Sequence, residues 1–176
     1  MKELYLAGGC FWGIEHYLRQ IRGIEATEVG YANGDPTAVP TPASPTYKEV
    51  CSDKTGFAEA VHVTYDPAVI SLRFLAQLYF KAIDPTSINQ QGEDHGTQYR
   101  TGIYYTEPAD RATLQQVFEE EQHRCPHPIA VELLPLTNFF PAEDYHQDYL
   151  LKNPNGYCHL PPALFLYAKE ANALKK

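Results

Sequence analysis

Apolar and polar positions alternate along this chain of 176 residues with two different periods, and the switches between them mark the elements. Leu4-Tyr5-Leu6-Ala7 is a short apolar run that reads as a strand and ends at Gly8-Gly9. Beyond it, Ile14, Tyr17, Leu18, Ile21 and Ile24 recur at helical spacing, which predicts an amphipathic helix starting beside Cys10. Residues 27–31 are rich in β-branched side chains and close on the turn signal Asn33-Gly34. Residues 35–46 hold Pro36, Pro40, Pro42 and Pro45 among small polar residues, the composition of an exposed loop. Over 57–65 the period falls to two: Phe57, Glu59, Val61, Val63 and Tyr65 share one face, and Ala58, Ala60, His62 and Thr64 the other. Ile70, Phe74, Leu75, Leu78 and Ile83 restore helical spacing over 70–83. A polar stretch over 84–98 is followed by a strand over 99–105 and a charged helix over 108–123 with Pro108 near its start. A strand over 129–134 and a short helix around 142–152 follow, and Asn153-Pro154-Asn155-Gly156 breaks that helix. The order β-α-β-β-α-β-α-β-α predicts an α/β two-layer sandwich, a mixed sheet with helices packed on it.

Length and composition narrow the class. The chain suits one domain and is long enough to bury a core. A net charge of −8 argues against a nucleic-acid surface, which would be basic and clustered. No apolar stretch approaches the ~20 residues of a membrane span, and the first residues lack a signal-peptide core. The expectation is a cytoplasmic monomer with no membrane or nucleic-acid partner. Four cysteines (Cys10, Cys51, Cys125 and Cys158) are too scattered for a disulfide scaffold. Cys51 reads as a small buried hydrophobe and Cys125, before Pro126, as part of a surface turn. No C-x-x-C or H-E-x-x-H spacing occurs, so no metal is expected.

Two positions stand out chemically. Cys10 lies in Gly9-Cys10-Phe11-Trp12-Gly13, where a strand hands over to a helix. Unpaired N–H groups and the helix dipole favour a thiolate there, and the adjacent aromatic rings distinguish it from an inert buried cysteine. Glu59 sits on the apolar face of its strand, where burial penalises the ionised form and raises the pKa. That suits a general acid; a strand-end carboxylate paired with a cation is the competing reading. The glycine-punctuated loop from Gln91 to Arg100, with His95, is long for a mere connection. A thiolate, a neutral acid, phenol donors and an aromatic pocket together fit attack on a sulfoxide sulfur. The oxygen must be protonated to leave, the methyl group needs an apolar pocket, and the product is a cysteine sulfenic acid that a second thiol converts to a disulfide.

The chain resembles the peptide methionine sulfoxide reductase A family. The resemblance rests on Gly9-Cys10-Phe11-Trp12-Gly13, on Pro45-Thr46-Tyr47-Lys48-Glu49-Val50-Cys51 and on Thr55-Gly56-Phe57-Ala58-Glu59-Ala60-Val61. It continues through Asn89-Gln90-Gln91-Gly92-Glu93-Asp94-His95-Gly96-Thr97-Gln98-Tyr99-Arg100, Phe140-Pro141-Ala142-Glu143-Asp144-Tyr145-His146 and Asn155-Gly156-Tyr157-Cys158, all in the family's order. The resemblance implies a ferredoxin-like core with a long, coiled C-terminal segment, and a catalytic domain over 1–160 followed by a tail over 161–176 that can form an appended helix. It implies Cys10 as nucleophile, Glu59 as proton donor, Tyr47 and Tyr99 as donors to the sulfoxide oxygen, and Asp94 as an organiser. Phe11 and Trp12 would hold the methyl group. Cys158 would resolve the sulfenic acid, and thioredoxin, or dithiothreitol in its place, would reduce the disulfide without any cofactor. Substrates would be methionine-S-sulfoxide, free or in oxidised proteins, in a repair role under oxidative stress. Phe57 departs from the family's usual histidine and makes the surroundings of Glu59 more apolar. A thiol peroxidase would share the sulfenic acid but has no use for the methyl pocket, and a non-catalytic methionine-peptide binder has no use for Cys10, Glu59 and Cys158 together.

Overall fold

Two β-α-β units interleave through the centre of one sheet. The computed structural model describes residues 1–39 and 44–171, so Pro40, Pro42 and the end of the tail lie outside the described residues. In chain order the elements are β1 (Lys2–Gly8), α1 (Phe11–Arg19), β2 (Ile24–Ala32), α2 (Tyr47–Cys51), β3 (Ala58–Tyr65), α3 (Leu72–Lys81) and a hairpin of β4 (Gln90–Gln91) and β5 (Asp94–His95). Then come β6 (Thr101–Tyr105), α4 (Arg111–Arg124), β7 (Glu132–Pro135), β8 (Phe139–Pro141), α5 (Tyr149–Lys152) and α6 (Pro162–Ala171). The six-stranded sheet has the order β7-β6-β1-β3-β2-β8. Its four central strands, β6-β1-β3-β2, are mutually antiparallel and carry α1 and α3 as crossovers, the ferredoxin-like arrangement. β7 adds in parallel to β6, which makes the sheet mixed as expected.

The period-two pattern sets the faces. Register pairs Leu4 with Val63, Leu6 with Val61, and Val61 in turn with Val29. These side chains form one buried cluster with Ile14 and Leu18 of α1, Leu75 and Tyr79 of α3, and Leu114 and Val117 of α4. On the opposite face Tyr5, Ala7, Ala58, Ala60 and Tyr104 make a smaller cluster beneath Leu136 and Phe139. Buried hydroxyls tie the layers: Tyr17 donates to the Leu78 carbonyl at 2.7 Å, and Tyr79 donates to the Ala7 carbonyl while accepting from the Gly102 N–H.

Several expectations are corrected. α1 stops at Arg19, because Gly23 adopts φ 100°, outside helical space, and Ile24 opens β2 instead. The helix expected around 142–152 shrinks to α5, preceded by β8 and a 3₁₀ turn over Asp144–His146. Bonds to residues far away in the chain replace its helical ladder: the Gln147 amide pairs with both the N–H and the C=O of Val29, and Asp148, at φ 54°, donates its N–H to Glu15 Oε2. α2 was not anticipated, although Thr46 and Glu49 form a reciprocal capping box at its start. The strand expected over 99–105 begins at Thr101, after a 3₁₀ turn over Thr97–Tyr99, and the one expected over 129–134 lies at Glu132–Pro135. Cys51, expected to be buried, is exposed at the end of α2. Between α4 and α6 the chain is mostly irregular, and α6 packs on α1, with the Phe165 ring edge-on to His16 at 4.6 Å and Ala168 buried. Among the described residues no helix is long and apolar enough to cross a membrane.

Candidate active site

Cys10 occupies the N-cap of α1, at the end of the central strand β1, and is 7% exposed. Gly9 before it has φ 83°, and a Cβ there would lie 2.6 Å from Gln91 Cβ, so only glycine fits beneath the β4–β5 hairpin. Gln91 is itself fixed by a two-way bond to the Asp84 backbone. The turn therefore holds Cys10 against the core at the open end of the sheet.

Glu59 lies on β3 opposite Tyr31 of β2, on the helix-covered face, and is 1% exposed. Its Oε1 accepts the Phe11 N–H at 3.3 Å, and its Oε2 is buried without a partner. Among the described residues no cation pairs with Glu59, contrary to the competing reading. Burial, with a smaller contribution from Asp94, raises the carboxyl from 4.5 to about 8 against the opposing Phe11 N–H. Glu59 is thus largely neutral at pH 7. Burial and the Glu59 carboxyl likewise push the Cys10 thiol far up, and the Trp12 backbone N–H only partly offsets them. Desolvation thus outweighs the pull of one turn of helix, as the expectation of carboxyls beside Cys10 implies.

The aromatic residues form a wall beside this pair. The Trp12 indole N–H donates to His146 Nδ1 at 3.0 Å and the indole stacks on Tyr149 at 3.6 Å. His146, 1% exposed, also lies against Phe11 and Tyr47, with ring centroids at 5.1 and 4.7 Å. Tyr47 stands at the start of α2 and Tyr99 in the turn before β6; both hydroxyls feel the Glu59 charge and each other, so the four expected groups converge. Cys51 and the Tyr47 hydroxyl influence each other electrostatically, which gives that exposed cysteine a place at the rim. Asp94, on β5, accepts the Tyr157 hydroxyl at 2.9 Å and acts electrostatically on Glu59, Cys10 and Cys158.

Sequence reasoning missed Glu143 and His146 as organisers. Glu143 accepts from the Tyr31 hydroxyl at 2.8 Å and from the Tyr47 N–H at 3.2 Å, anchoring α2 to β2. Both residues lie within a quoted motif, but no periodicity marks them. Arg100 proves structural: it pairs with Glu132 and donates to the Thr97 and Gly56 carbonyls. His95 is exposed. Cys158 is a free thiol packed on α1, its Sγ 3.1 Å from where a Gly13 Cβ would stand, one helical turn beyond Cys10.

A buried thiol and a neutral carboxyl at one helix start, on a ferredoxin-like sandwich, define a cysteine-centred oxidoreductase. The chain belongs to the peptide methionine sulfoxide reductase family, whose model matches residues 2–176. It is 50% identical over 164 residues to the peptide methionine sulfoxide reductase MsrA of Clostridium acetobutylicum, covering 93% of this chain and 98% of that protein. Its structure is similar to the reduced form of Mxr1 from Saccharomyces cerevisiae, with a TM-score of 0.86 and 46% identity over 89% of this chain and 88% of Mxr1. Mxr1 in complex with Trx2 aligns with a TM-score of 0.59 at 33% identity, over 84% of each chain.

Proposed function

We propose that Cys10 attacks the sulfur of methionine-S-sulfoxide while Glu59 protonates its oxygen, and that Cys158 then closes a disulfide which thioredoxin reopens. The observation that carries this reading is the unpartnered Glu59 Oε2, a neutral carboxyl buried beside Cys10 with no acceptor of its own. A sulfoxide oxygen seated there supplies the acceptor, with the Tyr47 and Tyr99 hydroxyls as further donors. Phe11 and Trp12 take the methyl group. As the S–O oxygen gains a proton, the Cys10 thiol loses its own, so no net charge is created in the dry site. The first step turns Cys10–SH and the sulfoxide into Cys10–SOH and methionine. In the second, the Cys158 thiol attacks Cys10 sulfur and water leaves.

Incubation of racemic methyl sulfoxide substrate with dithiothreitol, followed by chiral analysis of what remains, tests the reading. Consumption of one epimer alone is expected; equal consumption of both, or of neither, refutes it. Cys10→Ser abolishes turnover. Cys158→Ser releases one methionine per enzyme but does not cycle with thioredoxin, and cycling in that variant would move the resolving role to Cys51 or Cys125.

A further inference from the structure

We propose that His159 is the proton acceptor for Cys158 in the step that closes the Cys10–Cys158 disulfide. This rests on the reading of Cys158 as the resolving thiol. That thiol is half-buried, and burial together with the Asp94 charge holds it above its ordinary range. At neutral pH it is therefore a poor nucleophile, since the thiolate is the attacking form. A base beside it removes that handicap.

The geometry supplies one. His159 Nε2 lies 3.2 Å from the Gly8 carbonyl, an acceptor only, so the ring proton sits on Nε2 and Nδ1 carries a bare lone pair. That Nδ1 is buried and has no hydrogen-bond partner. Cys158 Sγ and His159 Nδ1 each lie 3.1 Å from the point a Cβ on Gly13 would occupy. They are thus no more than twice that distance apart, and the thiol, which now faces the Leu160 carbonyl at 3.6 Å, reaches Nδ1 by turning about its Cα–Cβ bond. Both residues also line a single cleft of about 270 Å³, with Gly92, Glu93 and Tyr157. Gly13 carries no side chain, so both groups approach the first turn of α1, at whose start Cys10 stands.

The ring is also in the right charge state. Burial lowers the His159 pKa, while Asp94 and the Gly8 carbonyl oppose, so the neutral form dominates at pH 7. The titratable groups facing it are Cys158 and Tyr157 on its own segment, Asp94 and Glu93 on the hairpin, and Cys10 beyond Gly9. In the step, His159 Nδ1 takes the thiol proton and the Cys158 sulfur forms a bond to Cys10 sulfur. The Cys10 S–O bond breaks, and the oxygen departs as water with a proton returned by the imidazolium. Cys10 sulfur is reduced from sulfenic acid to disulfide as Cys158 is oxidised, so no further oxidant or reductant is required.

The test uses the full chain, rapid mixing with a stoichiometric sulfoxide substrate, and separate timing of methionine release and of disulfide formation. His159→Gln keeps an N–H for the Gly8 carbonyl but has no base at the Nδ1 position. In it, disulfide formation should slow about 100-fold relative to methionine release, and its rate should rise tenfold per pH unit across neutrality. In His159→Ala, added imidazole should restore much of the lost rate. Disulfide formation in His159→Gln at the unmutated rate overturns the proposal, as does a slow His159→Ala that imidazole does not rescue, because the ring would then be only a clamp on the Gly8 carbonyl. If the unmutated protein releases no methionine, the proposed function itself fails, a result distinct from either.

Discussion

Replacing Glu59 with glutamine should make this protein slower and, above neutrality, more stable. The carboxyl is 1% exposed and its pKa rises from 4.5 to about 8 on folding, so no solvent screening discounts the effect. In the unfolded chain the group ionises above pH 4.5; in the folded one it keeps its proton until about pH 8. The stability it contributes is therefore fully present below pH 4.5 and drains away as pH climbs through 8. At about 1.4 kcal/mol per tenfold change, the loss is roughly 3 kcal/mol at pH 7 and roughly 5 kcal/mol above pH 8. Glutamine keeps a carbonyl for the Phe11 N–H and does not titrate. Urea unfolding followed through Trp12, the one tryptophan, should give similar stabilities for the two proteins at pH 4 and a gap that opens with pH to that size. Sulfoxide reduction by Glu59→Gln should fall about 100-fold, less than by Glu59→Ala, because glutamine still offers a hydrogen bond. A stability gap that stays constant from pH 4 to pH 9 would refute the raised carboxyl, and equal rate losses in the two variants would refute the proton donor.

Asp94 is among the groups that raise Glu59 and Cys10. Asp94→Asn should therefore move the alkaline limb of the first-step rate to lower pH, and an unmoved limb would show that its charge is not felt there. His146→Leu removes the acceptor of the Trp12 indole N–H. It should shift Trp12 emission and raise KM severalfold more than it lowers kcat, whereas His146→Asn, which keeps an acceptor near the Nδ1 position, should restore both; an unshifted spectrum in His146→Leu would sink the positioning role. Gly9→Ala forces a side chain into φ 83° and against Gln91, and should cost about 1–3 kcal/mol in urea unfolding; an unchanged midpoint would mean that the hairpin yields freely.

What the chain shows at a glance, and what it hides, divides by range. The faces of β3 were legible because alternation is a property of neighbours: Phe57, Glu59, Val61 and Val63 fall together whatever the rest does. The stretch over 142–152 was misread because its structure answers to residues far away in sequence, Val29 to Gln147 and Glu15 to Asp148, and those bonds leave no local period. His159 was invisible for the same reason, since its meaning depends on Gly8 and Gly13.

The acidity of Cys10 is the most instructive case. Locally, a helix start lowers a thiol pKa, and that inference is sound as far as it goes. The actual value is set by everything that packs around the sulfur, and there the core and Glu59 outweigh one turn of backbone dipoles. The same burial that makes Glu59 an acid makes Cys10 a resting thiol, so neither property can be tuned without the other. A protonated, 7% exposed thiol should react slowly with peroxide. In the proposed first step a sulfoxide in the pocket changes this, because its oxygen receives a proton as the thiol gives one up. On that mechanism the pairing would tie nucleophilicity to the presence of substrate and spare Cys10 idle oxidation, which is also why a peroxidase would be poorly served by placing its cysteine beside this carboxyl.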